Sequence, residues 1–134
     1  MDILTCSASS EYSGRFACEK AIDGNSDTSW ATKRQGIGAW IQVNFGNVYQ
    51  VEKIKIKHRT NNNQNEMFKD ISLEFSDGTK DDYTLNNVHQ DWNAVAIDKR
   101  PMSSFVKIMA KSVYGTINNG FSEIQIFGSL TGSS

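Results

Sequence analysis

Apolar side chains recur at every second position in short runs along most of this chain. "WIQVNF" at 40–45 places Ile41, Val43 and Phe45 on one side and Gln42 and Asn44 on the other. "VEKIKIKH" at 51–58 turns Ile54 and Ile56 inward. The same alternation sets Ile71, Leu73 and Phe75 on one face, then Tyr83 with Leu85, Val95 with Ile97, Val106 with Ile108 and Ala110, and Ile124 with Ile126. A period of two is that of a half-buried strand. With an opening strand near "ILTCSAS", the pattern predicts eight strands. Turn residues separate the runs, and Asp77-Gly78 marks a hairpin. One helical turn is expected around "RFACEKAI" (15–22). No strand–helix–strand rhythm appears, so the fold class is all-β: an antiparallel two-sheet sandwich or jelly roll whose inward faces form one core. Trp30 and Trp40 flank the first long connection and are expected in that core, and Trp92 is expected to be partly exposed.

The chain has 134 residues, which suits one domain. "GSLTGSS" at its end reads as a tail, giving a domain at 1–128 and a flexible or artificial extension at 129–134. The 14 basic and 15 acidic side chains leave a net charge of −1. That balance excludes a broad basic face for nucleic acid. Alternation puts Lys53, Lys55 and Lys57 on the solvent side of a strand. No apolar run approaches the roughly 20 residues of a membrane helix. "MDILTCSASS" is too short and polar for a signal peptide, so the start is read as either a cytosolic one or that of an excised domain. Cys6 and Cys18 do not have zinc-ribbon or redox spacing; one disulfide and two buried thiols both remain open.

Catalytic signals are missing. His58 and His89 are the two histidines, and neither lies in a nucleophile motif. Both are expected at the surface or in turns. "SDGTKDD" (76–82) clusters carboxylates, but its Asp-Gly makes it a hairpin rather than an acid–base pair. The reading is a non-enzyme. The connections at 31–39, 59–68 and 114–121 are longer than the usual hairpin loops, and long loops on a stiff sandwich are where binding happens. "AIDGNSDTSW" (21–30) raises a separate question. Asp23, Asn25 and Asp27 alternate as in the first half of an EF-hand loop, but Thr28 stands where glycine is needed and Arg34 where a bidentate glutamate closes the site. A calcium site of another kind and a metal-free polar turn both remain open.

"ASSEY…ACEKAIDGNSDTSWAT", "AWIQVNFGNVYQVEKIKI", "FKDISLEFSDGT" and "GFSEIQIFG", in this order from about residue 4 to 128, resemble the discoidin or coagulation-factor F5/8 type C family, which includes the family-32 carbohydrate-binding modules. The resemblance implies an eight-stranded antiparallel jelly-roll β-sandwich, galactose-binding domain-like, that binds with loops at one end and is not catalytic. It implies a structural calcium held by a backbone oxygen of Lys20, by Asp23, Asn25 and Thr28, and by Glu123 from the last strand. It implies ligand contacts from Arg59, from Asn63 or Asn65, and from Phe121. Arg34 is a further candidate contact; it lies in the 31–39 loop, where Lys33, Arg34 and Gln35 replace a histidine of many sugar-binding members, a departure from the galactose-binding pattern. The implied partner is a glycan, with galactose-type sugars as the reference, and the implied setting is extracellular or at a cell surface. A shallow site of this kind gains avidity through oligomers or a larger parent protein. Two other uses of the same loops are a cell-adhesion or protein-interaction surface and a site for anionic phospholipid. For the latter, Ile37 and Met67 are the apolar candidates, and the surrounding asparagines weigh against membrane insertion.

Overall fold

A computed structural model describes residues 5–25, 27–58, 68–85, 92–114 and 119–130. Eight strands run β1 (Thr5–Ala8), β2 (Trp30–Ala31), β3 (Trp40–His58), β4 (Asp70–Phe75), β5 (Lys80–Thr84), β6 (Trp92–Ala96), β7 (Met102–Ala110) and β8 (Gly120–Leu130). Two short 3-10 turns, Gly14–Phe16 and Cys18–Ala21, occupy the segment expected to be helical. All pairings are antiparallel.

The long β3 organises everything else. Two strands were expected at 40–45 and 51–58; they are one strand with a bend. Gly46 sits at φ +74°, a left-handed value that glycine adopts without strain, and the ladder to β7 shifts register between Asn44 and Tyr49. Before the bend β3 pairs with β1 and β7, and β7 passes the sheet on to β4 and β5. After the bend β3 pairs with β8 and β6, and β8 carries β2 at the edge. One strand therefore belongs to both layers of the sandwich. Its two ends, Trp40 and His58, return to the same end of the molecule, where the 31–39 connection lies.

The alternating residues fill a single core. Ile41, Val43, Phe45, Ile54, Ile56, Ile71, Leu73, Phe75, Val106 and Ile108 are all buried, at roughly 1.5–3 kcal/mol of stabilisation per large side chain. Trp30 is fully buried, whereas Trp40 is only partly so, with the Lys107 ammonium 4.6 Å from its ring centre. Lys53, Lys55 and Lys57 face outward as expected. They lie over aromatic rings, Lys53 on Phe127 and the other two on Trp92. His58 departs from expectation. It is a core residue at the end of β3, not a surface histidine. His89 lies outside the described residues. The fold also runs past the expected boundary at 128: Ser129 pairs with Gln50 and Leu130 with Tyr49.

β2 is two residues long and carries no periodicity, so no pattern announced it. It forms because Gly120 lets two backbones touch. A Cβ at that position would lie 1.9 Å from the Trp30 carbonyl oxygen. Cys6 and Cys18 form a disulfide, resolving the open choice between bridge and thiols. The bridge ties β1 to the second 3-10 turn. Reducing it, or replacing both cysteines with serine, should lower Tm by about 5–10 °C, since closing a short loop contributes about 2–3 kcal/mol. An unchanged melting curve in reductant would show that the bridge constrains nothing.

Candidate functional site

The polar loop after the second 3-10 turn is organised around one hydroxyl. Gly24, at φ +76°, reverses the chain. Asn25 N–H donates to Asp23 Oδ1 (2.9 Å) and Asp27 N–H donates to Asn25 Oδ1 (2.9 Å), two successive turns closed by side chains. Thr28 Oγ1 then faces three acceptors: Asp23 Oδ2 at 2.6 Å, the Asn25 carbonyl at 2.9 Å and the Lys20 carbonyl at 3.4 Å. A hydroxyl has one proton and satisfies one of the three fully. The loop thus gathers oxygen lone pairs beyond what its own protons neutralise.

Glu123 closes the group from β8. It stands across from Lys57 in the ladder and is 5% exposed beneath the loop. Its Oε2 accepts the Gly24 N–H at 3.2 Å, while Oε1 is buried without a hydrogen-bond partner. Burial is the main reason its carboxyl is pushed up to about 7; the Gly24 N–H opposes this, the Asp23 charge adds to it, and Lys57 lowers it. Five of the expected ligands therefore meet in one place, with one refinement. Asn25 offers its backbone carbonyl to the group, because its side chain is spent on Asp27. Two carboxylates, two carbonyls and a hydroxyl are hard oxygen donors, the set that suits a calcium-sized cation.

The expected ligand contacts fare differently. Arg59, Asn63 and Asn65 lie outside the described residues. Phe121 cannot stack on a ligand. It has no exposed surface, its ring centre is 4.6 Å from that of Phe68 and 5.8 Å from that of Trp30, and it plugs the core. An apolar run ending a loop reads the same from sequence whether its ring points in or out. Arg34 is exposed, at φ +56°, on a turn that Thr32 and Gln35 hold from both sides. Thr32 Oγ1 donates to the Gln35 carbonyl at 2.7 Å, and Asn119 Nδ2 donates to the same carbonyl at 3.3 Å. Ser9 Oγ donates to Gln35 Oε1 at 2.6 Å and accepts Trp40 N–H, while Ser10 Oγ accepts Lys33 N–H. Ser9, Ser10, Thr32 and Asn119 were not singled out by sequence, and Gln35 was noted there only beside Arg34. Small polar residues in loops are common, and only contact reveals that these five form one latch.

The clustered carboxylates of 76–82 do not converge. Asp77 accepts Thr79 N–H and Met102 N–H as a hairpin residue. Burial acts to raise its pKa, but these hydrogen bonds outweigh it and hold the carboxyl below its ordinary value. Asp82 pairs with Lys111 at 3.1 Å, and Asp81 accepts the Tyr83 hydroxyl. Asp81 and Asp82 line a shallow cleft of about 500 Å³ with Ser72, Lys80, Lys99, Met109 and Lys111. Within it Asp82 and Lys111 form an exposed ion pair and Lys99 donates to the Lys80 carbonyl.

The F5/8 type C domain family model matches residues 5–125. No match was found among curated protein sequences. Among solved structures, the chain is similar to the family 32 carbohydrate-binding module of NanJ from Clostridium perfringens, solved in complex with galactose, with 26% identity, 91% of each chain covered and a TM-score of 0.79. It is similar in fold to the F5/8 type C domain of a Bacteroides fragilis protein, with 16% identity, 94% of this chain and 91% of that one covered, and a TM-score of 0.80. It shares its fold too with CpGH89CBM32-5 from Clostridium perfringens, in complex with GalNAc-β-1,3-galactose, with 19% identity, coverage of 92% and 94%, and a TM-score of 0.79.

The raised pKa of Glu123 fixes a sign. The folded chain holds this proton more tightly than the unfolded chain, so its contribution is full below the ordinary value of 4.5 and is lost as pH rises towards about 7. In chelator, wild-type stability measured by denaturant titration should fall across that window, and Glu123→Gln should flatten the decline. Parallel curves for the two proteins would show that the carboxylate is not strained in the fold.

Proposed function

Since the chain belongs to the F5/8 type C domain family, we propose that it is a non-catalytic carbohydrate-binding module that reads glycans at the loop end of its sandwich, with galactose-type sugars as the first candidates. The observation that carries this reading is the latched turn around Arg34. Arginine gives directional hydrogen bonds to hydroxyls, and a backbone fixed from both sides leaves less freedom to lose on binding. The galactose complex of the NanJ module supports the choice of sugar class. Arg59, Asn63 and Asn65, which follow β3 in sequence, are proposed as further hydroxyl partners. Phe121 is not among them.

Calcium is the second part of the proposal. Lys20, Asp23, Asn25, Thr28 and Glu123 would hold it, and the unpartnered Oε1 of Glu123 is the observation in its favour. When bound, the ion supplies positive charge between Asp23 and Glu123 and so links the 20–28 loop to β8. Its role is structural; the loops that bind sugar are elsewhere. The disulfide supports an oxidising, extracellular or surface setting.

A glycan array is the direct test. Wild type should bind galactose-terminated glycans, and Arg34→Ala should weaken that binding about tenfold without changing Tm, as for a hydrogen bond from a charged group. Unaltered binding by Arg34→Ala would remove the latched turn from the site. Sedimentation with anionic liposomes that depends on Ile37, 70% exposed on the same loop, in place of any array signal, would favour phospholipid. For the metal, Asp23→Ala should lower Tm more in calcium than in EDTA, where it loses only the Asn25 N–H and Thr28 hydroxyl bonds. Equal losses in both media would argue against calcium.

A further inference from the structure

With Phe121 in the core, a module that binds sugar lacks the stacking ring its sequence suggested. Two aromatic side chains are substantially exposed among the described residues, Tyr12 and Phe127. Phe127 lies under the Lys53 ammonium, 4.9 Å away, on the outer face of β8. Of the other exposed large apolar residues, Val48, Met102 and Leu130 gather near the bend of β3, at the opposite end from the 31–39 loop that carries Ile37. Tyr12 is different. It is 48% exposed and sits at the loop end.

Its position is held firmly. Tyr12 N–H donates to the Ala31 carbonyl at 2.7 Å, and Ser10 Oγ accepts Lys33 N–H at 2.9 Å, so residues 10–12 lie alongside 31–33. Glu11 Oε2 accepts Cys18 N–H at 2.8 Å, and Cys18 is bonded to Cys6. The Tyr12 ring rests against Phe16 edge to face, 5.6 Å between centres at 89°. Its hydroxyl has no hydrogen-bond partner among the described residues. The Phe16 contact packs one side of the ring, and the rest of it leaves apolar area in water. A tyrosine fixed in this way offers contact area at low entropic cost.

We propose that Tyr12 is the stacking aromatic of this module, one face of its ring taking the C–H face of a pyranose while the adjoining 33–37 turn, with Arg34, reads the hydroxyls. The proposal rests on the glycan reading above. It assigns a specificity-determining residue to the 9–17 loop rather than to the loop before β8, and it gives the Cys6–Cys18 bridge a purpose: it braces the platform.

The test compares wild type, Tyr12→Ala and Tyr12→Trp on one glycan array, with Tm measured for each. Tyr12→Ala should stay folded, with Tm lowered by no more than about 5 °C for the lost Phe16 contact, and lose about tenfold in apparent affinity on the glycans that wild type binds, and Tyr12→Trp should retain or exceed wild-type binding. A merely structural tyrosine would not be rescued by the larger ring. Undiminished binding by Tyr12→Ala would overturn the assignment and leave the glycan reading standing. A folded Tyr12→Trp that binds no better than Tyr12→Ala would overturn the stacking geometry. No array signal from wild type would overturn the glycan reading and this assignment with it.

Discussion

Trp30, Phe68 and Phe121 meet ring against ring beneath the loop end, all fully buried. They come from β2, from the chain just before β4, and from β8, so their contact draws three distant parts of the sequence together. Gly120 makes the arrangement possible by admitting the Trp30 carbonyl where a Cβ would otherwise stand. The segments that bear the candidate chemistry attach to this plug. Trp30 Nε1–H donates to the Ser10 carbonyl, which holds the 9–17 loop; Thr32 N–H donates to the Asn119 carbonyl, which ties the 31–39 loop to the approach to β8. Bulky rings under a rim convert flexible loops into a surface with a fixed shape, and fixed shape is what weak, shallow recognition requires.

The two candidate features of the molecule divide the labour. The oxygen cluster at 20–28 faces Glu123 and concerns stability: the proposed cation would neutralise its lone pairs and the buried carboxylate. The rim of Tyr12, Arg34 and the latched 31–39 turn is the surface proposed for recognition. Tyr12 and the 20–28 loop both lie in the disulfide-braced stretch between β1 and β2, so the proposed cation or a change of oxidation state would act on the Tyr12 side of the rim.

Much of the sandwich could be read in the sequence because alternation is a local signal. Ile41, Val43 and Phe45 declare their face without reference to anything distant. The bend in β3 was hidden because "GNVYQ" looks like a connection, and only the pairing of β7 and β8 on its two sides makes it continuous. The acidic loop was conspicuous, but its partner Glu123 became a candidate through family resemblance, since nothing in "SEIQIFG" marks one glutamate for burial. Phe121 failed as a surface aromatic for the complementary reason. Whether a ring points to core or solvent depends on Trp30 and Phe68, which no local pattern connects to it. Tyr12 went unnoticed because its exposure follows from the bond to Ala31 and the bridge to Cys18, both non-local.

The account stands on the claim that a rigid rim at one end of the sandwich is the recognition surface. Mapping backbone amide shifts by NMR during titration with galactose tests it most directly. Changes confined to residues 9–12 and 33–37 and the loops beside them are predicted. Changes centred on the cleft of Ser72, Lys80 and Met109, with the rim silent, would contradict it.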